Sequence, residues 1–83
     1  MKQKAIRRQR TMIGGNIRQW RLLKGIKQSQ LASQLGITTA ALSNIENDKT
    51  NISIVRMEEI SRQLQVDVVK LFNNPLDLLM GAQ

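Results

Sequence analysis

Apolar residues along the chain recur every three or four positions, the period of a helix face rather than of a strand. Ile13, Ile17 and Trp20 fall on one side of a segment that Gly25 closes, which predicts a first helix over about Met12 to Lys24. Leu31, Ala32 and Leu35 mark a second over Gln28 to Leu35, ended by Gly36. A third opens at Thr38, whose hydroxyl suits an N-cap, and carries Leu42 and Ile45 to about Asn47. Ser53 caps a fourth, about Ile54 to Gln65, with Ile54, Met57, Ile60 and Leu64 on its apolar face. Asp67 caps a short fifth helix bearing Val68, Leu71 and Phe72, stopped by Asn73, Asn74 and Pro75. No two-residue alternation of β-branched residues interrupts the series, so the expected fold is all-α. Gly14 and Gly15 count against the first turn, at up to about 1 kcal/mol each relative to alanine.

A length of 83 residues accommodates one compact core. On this pattern the chain divides into a basic flexible arm (1–11), a domain (12–73) and a short apolar C-terminal segment (74–83). The absence of cysteine and histidine removes disulfides, thiolate zinc sites and the commonest general base. The six carboxylates are scattered, so no enzyme, metal site or cofactor is expected. No stretch approaches the roughly 20 apolar residues that span a bilayer, and Met1 to Arg10 lacks the apolar run of a secretory signal. A soluble, cytoplasmic protein with no membrane partner is the expectation.

Charge sharpens the picture. Nine basic residues, from Lys2 to Lys27, precede the first acidic one, Glu46. From Gln28 onward four basic residues face six acidic ones, a net of −2. Positive charge confined in this way predicts a polyanionic partner met mainly by the N-terminal part of the chain, with nucleic acid favoured over an anionic membrane. Only Ala5 and Ile6 in the basic stretch are available to insert into lipid.

The block Gln28 to Glu46, QSQLASQLGITTAALSNIE, carries the most information. Two short helices crossing steeply need small side chains where their backbones meet, and Ala32 and Gly36 supply them while Ile37, Leu42 and Ile45 fill the angle. Gln28, Leu31, Ala32, Gly36, Ile37, Leu42, Ser43, Ile45 and Glu46 resemble the helix-turn-helix signature of the phage repressor and Cro family, the xenobiotic-response-element type of bacterial regulator. The resemblance runs from about Ile13 to Phe72. It implies a compact five-helix, lambda-repressor-like DNA-binding domain whose helix-turn-helix is formed by helices 2 and 3. Two positions depart from the family pattern. Lys27 stands where Ser or Thr usually caps helix 2, which weakens that helix while favouring a phosphate. Asp48 replaces the glycine expected after helix 3, so mild strain is expected there.

The resemblance makes helix 3 the reading head. A helix entering the major groove by its N-terminal end presents Thr39, Ala40 and Asn44 to base edges, with Ser43 beside them. Asn44 suits a bidentate contact to adenine, Thr39 can donate or accept, and Ala40 can lie against a thymine methyl. Phosphates are expected at Gln28, Lys27, Thr38, Asn47, Lys49 and Arg18. Arg21 and Glu46 match the family's buried ion pair and are expected to be structural.

Two segments have open readings. The arm either lies along phosphates or the minor groove, or serves as a solubilising tail. The apolar stretch of Leu76, Leu78, Leu79 and Met80 either packs back on the domain or helps pair two protomers. The overall expectation is a sequence-specific regulator, a repressor, acting as a homodimer through helix 5 and the C-terminal turn on a near-palindromic double-stranded operator. The alternative is an antitoxin or a restriction-modification controller protein using the same domain, the former with a protein partner.

Overall fold

The computed structural model describes residues 13–79. The basic arm, Met12 and residues 80–83 lie outside the described residues. Four α-helices, α1 (Ile13–Leu23), α2 (Gln28–Leu35), α3 (Thr39–Glu46) and α4 (Ile54–Leu64), are followed by a 3-10 helix (Val68–Phe72) and a last helix, α5 (Pro75–Leu79). No strand occurs among the described residues.

Most of the apolar positions that set the period form the core, Ile54 and Phe72 being exposed instead. Ile17, Leu31, Leu42, Ile60, Leu64 and Leu71 are fully buried, each contributing about 1.5–3 kcal/mol by leaving water. α1 packs against α3, the 3-10 helix and α5, and α2 bridges α3 and α4. Thr38 and Ser53 cap as their chemistry suggests: their hydroxyls accept from the backbone N–H of Ala41 and Arg56 at 3.0 and 3.1 Å. Gly36 closes α2 in the left-handed region at φ 72°, a conformation that costs glycine little.

Four expectations need correction. The fifth helix is a 3-10 helix, and Asp67 stands at its N-cap position without a side-chain cap bond. Side chains of α1 hold this turn in place. Asn16 Nδ2 donates to the Leu71 carbonyl at 3.0 Å, and the Trp20 indole N–H is shared between the carbonyls of Lys70 and Asn73 at 3.0 and 3.1 Å. With those carbonyls turned toward α1, the segment winds by i to i+3 bonds such as Asn73 N–H to Lys70 C=O. Pro75 begins a helix rather than only stopping one. It is buried at the first helical position, where its missing N–H costs nothing, and Asn74 Oδ1 accepts from the Leu76 N–H at 2.8 Å. Gln65 lies past the end of α4, a left-handed cap at φ 60°.

The fourth correction concerns Gly14, which is required rather than a defect of the first turn. A methyl at Gly14 would run into the Ile45 carbonyl oxygen and the Asp48 carboxylate, so glycine lets α1 meet the end of α3. Asp48 is left-handed at φ 59°, as its place after α3 suggested. Its carboxylate accepts the Gly14 N–H at 2.9 Å, satisfying an otherwise orphan donor in the first turn of α1. The strain at Asp48 is thus offset by a bond across 34 residues.

Candidate nucleic-acid interface

α3 is an exposed rod propped from behind. Leu42 and Ile45 face the core, while Thr39, Ala40 and Asn44 are exposed and Ser43 is half-buried. Its only carboxylate, Glu46, is buried, so the outward face of α3 offers hydroxyl, methyl and carboxamide groups and no negative charge. Such a face suits the donor and acceptor edges and thymine methyls of a major groove.

Glu46 is the anchor that sets the rod's position. Arg21 on α1 reaches it by a two-pronged contact, Nε to Oε2 at 2.7 Å and Nη2 to Oε1 at 3.1 Å. The side chains are only 7% and 1% exposed. Arg21 Nη1 also donates to the Ile26 carbonyl at 2.9 Å, so the α1–α2 turn joins the same network. Gln28, read from the sequence as a phosphate ligand, donates its Nε2 to Glu46 Oε1 at 3.0 Å. One carboxylate therefore ties together α1, the start of α2 and the end of α3. A buried pair of this kind fixes geometry more than it adds net stability.

The remaining side chains assigned to phosphates are exposed around this frame. Lys27 stands exposed at the N-cap of α2, where its ammonium, having no acceptor, makes no cap bond. Thr38 keeps its hydroxyl proton free while its oxygen caps α3. Asn47 Nδ2 donates to the Ser43 carbonyl at 2.9 Å, and Lys49 follows it in the α3–α4 turn. Arg18 is exposed on α1, one step round the helix from the stripe of Gly14 and Arg21 that touches α3.

A groove of about 320 Å³ runs beside Asn44 to the start of α4. Ser53, Asn51 and Arg56 line its far side, and Arg56 Nη1 is paired with Glu59 at 2.7 Å. Sequence reasoning missed these three. A signal was available: the cap at Ser53 announces a helix N-terminus close after the reading helix, and helix N-termini favour phosphate.

Two helices joined at a left-handed glycine, the second presenting an outward face free of negative charge, define a helix-turn-helix domain. The helix-turn-helix family model matches residues 17–71, and the chain belongs to that family, in its phage repressor and Cro-like branch. The HTH-type transcriptional regulator SinR of Bacillus licheniformis is 44% identical over 63 residues, covering 75% of this chain and 57% of that protein. SinR of Bacillus subtilis strain 168 is 43% identical over the same coverage. This chain thus spans little more than half the length of these relatives. Control protein C.MunI of a Mycoplasma species is 35% identical over 49 residues, 59% of this chain and 66% of that one. The crystal structure of a hypothetical transcription factor, NHTF, from Neisseria superposes with a TM-score of 0.72 at 30% identity, covering 86% of this chain and 82% of that one.

Proposed function

We propose that this domain binds double-stranded DNA at specific sequences and regulates transcription, as a repressor, with the N-terminal end of α3 in the major groove. The observation that carries the reading is the exposed trio Thr39, Ala40 and Asn44 on a helix whose only carboxylate is buried. The SinR relatives, named as transcriptional regulators, support it. Thr39, Ala40, Asn44 and Ser43 contact bases, and Lys27, Gln28, Thr38, Asn47, Lys49 and Arg18 contact phosphates. Gln28 does so with the part of its carboxamide that Glu46 leaves free. Nothing in this scheme calls for catalysis, a metal or a cofactor, and the protein works in the cytoplasm.

α1 begins where Gly14 meets the end of α3, so the chain enters the described domain close to the reading helix, which supports use of the basic residues 2–10 along phosphates. A homodimer through the 3-10 helix and α5 brings two reading helices to successive grooves about 34 Å apart on a near-palindromic operator. Val69, Phe72 and Leu76, 61%, 55% and 49% exposed, support that face as the contact. A monomer in sedimentation at micromolar concentration contradicts it.

Selection of sites from random duplex DNA at fixed salt, followed by affinity measurement, tests the central reading. Asn44→Ala should weaken the selected site about 5- to 150-fold, the equivalent of about 1–3 kcal/mol, and leave non-specific DNA unchanged. Equal loss on both DNAs refutes base contact by Asn44. The similarity to a control protein favours a second reading, a restriction-modification controller. Genomic occupancy confined to the promoter of a linked endonuclease supports that reading over a broader regulator.

A further inference from the structure

At the end of α4 away from Ser53 lies a second, more polar recess of about 490 Å³. Lys24 from the end of α1, Arg62 from the last turn of α4 and Lys70 from the 3-10 helix bring three positive charges to it, against one carboxylate, Asp67. None of the three forms an ion pair with a described residue, Asp67 included, whereas Arg21 and Arg56 are both paired. The fold thus gathers like charges from three elements at one rim, an arrangement that repels itself and favours an anion from outside.

Gln65 supplies an independent observation. It and Asp48 are the non-glycine residues with positive φ among those described. Asp48 is compensated by its bond to Gly14. The Gln65 carboxamide lines the recess and forms no hydrogen bond with a described residue, although glycine would hold the same backbone with less strain. The left-handed turn itself closes α4, but no hydrogen bond within the described domain accounts for glutamine in place of glycine there, which points to a role for its side chain in the recess.

We propose that this recess binds a small, multiply charged anion, a phosphorylated or polycarboxylate metabolite. Three cations against one carboxylate leave a surplus of +2, which a dianion or trianion matches, and the volume suits a small molecule. Arg62 offers the planar fork that grips paired oxygens, Lys24 and Lys70 add point charges, and Gln65 donates an amide N–H. The site is separate from the DNA interface. It shares no lining residue with the groove beside Asn44, and their nearest lining residues on α4, Arg56 and Ser61, stand about 7.5 Å apart along the helix axis.

Trp20 walls the recess and is the chain's only tryptophan, with no tyrosine to obscure it, so its fluorescence reports occupancy directly. The full chain is titrated with pyrophosphate and with citrate, ionic strength being held constant with sodium chloride. A saturable change with either probe is expected; pyrophosphate alone assigns a phosphorylated ligand and citrate alone a polycarboxylate. The double variant Arg62→Ala, Lys70→Ala should bind at least tenfold more weakly with an unchanged circular dichroism spectrum, and Lys27→Ala, Lys49→Ala as the wild type does. Should the double variant not fold, Arg62→Gln and Lys70→Gln singly should each weaken binding. Gln65→Gly should raise Tm and lower anion affinity together. No saturable change with either probe, or a folded double variant that titrates like the wild type, overturns the proposal. So does a double variant that mainly flattens the salt dependence of DNA binding, since the recess would then hold DNA phosphates.

Discussion

Replacing Glu46 by alanine tests how the reading helix is held. The carboxylate is 1% exposed and accepts three N–H bonds, two from Arg21 and one from Gln28. Its removal leaves the charged Arg21 side chain buried, with only the Ile26 carbonyl as a partner. Breaking one side of a buried pair costs about 3–5 kcal/mol, most of it from the stranded charge. That is a large part of the roughly 5–15 kcal/mol that holds a typical domain folded. At about 4–8 °C per kcal/mol for a domain of this size, Tm should fall by at least about 12 °C. The double variant Arg21→Met, Glu46→Leu removes both charges and should recover most of the loss, because the stranded guanidinium is gone. Thermal unfolding followed by circular dichroism, with the two single variants completing a double-mutant cycle, measures the coupling. A Tm for Glu46→Ala within about 3 °C of the wild type, under about 0.8 kcal/mol by the same conversion, refutes the reasoning.

Two further substitutions probe the supports of α1 and α2. Gly14→Ala gains helix propensity of about 1 kcal/mol at most, yet must push back the Ile45 carbonyl and Asp48, so a net loss of about 1–2 kcal/mol is expected in urea unfolding. A more stable variant contradicts the close approach of α1 and α3. Lys27→Ser places a hydroxyl at an N-cap whose backbone is already extended, at φ −73° and ψ 149°, and should stabilise the domain by about 0.5–2 kcal/mol. The same change should reduce the slope of log affinity for DNA against log salt by about 0.9; an unchanged slope removes Lys27 from the phosphate contacts.

The sequence revealed what depends on local period and capping, and concealed what depends on partners far along the chain. α2, α3 and the start of α4 could be read directly, because Gly36, Thr38 and Ser53 act within their own turns. The 3-10 winding of Val68–Phe72 could not, since it follows from Asn16 and Trp20 bonding to carbonyls in and just after it, 50 to 55 residues along the chain. Gly14 and Asp48 each look like a liability in isolation, and only their mutual contact shows them to be complementary. The helix at Pro75 was within reach: Asn followed by Pro is a cap and a first helical residue as well as a stop signal. Exposure of Thr39, Ala40 and Asn44 was foreseeable from the period of α3. The part of Gln28 taken up by Glu46 was not, because the family pattern records residue types and not which partner each one holds.

The most direct measurement of the central claim uses the chain's lack of cysteine. Ala40→Cys gives a unique thiol on the outward face of α3, to which an iron chelate that cleaves DNA can be attached. Bound to its selected duplex, this conjugate should cut within the base pairs of each half-site, while the same chelate at Gln63→Cys, exposed near the end of α4 and outside both the interface and the proposed dimer contact, should not cut there. Strong cutting from position 63 with none from position 40 would place the wrong side of the molecule against DNA and contradict the account.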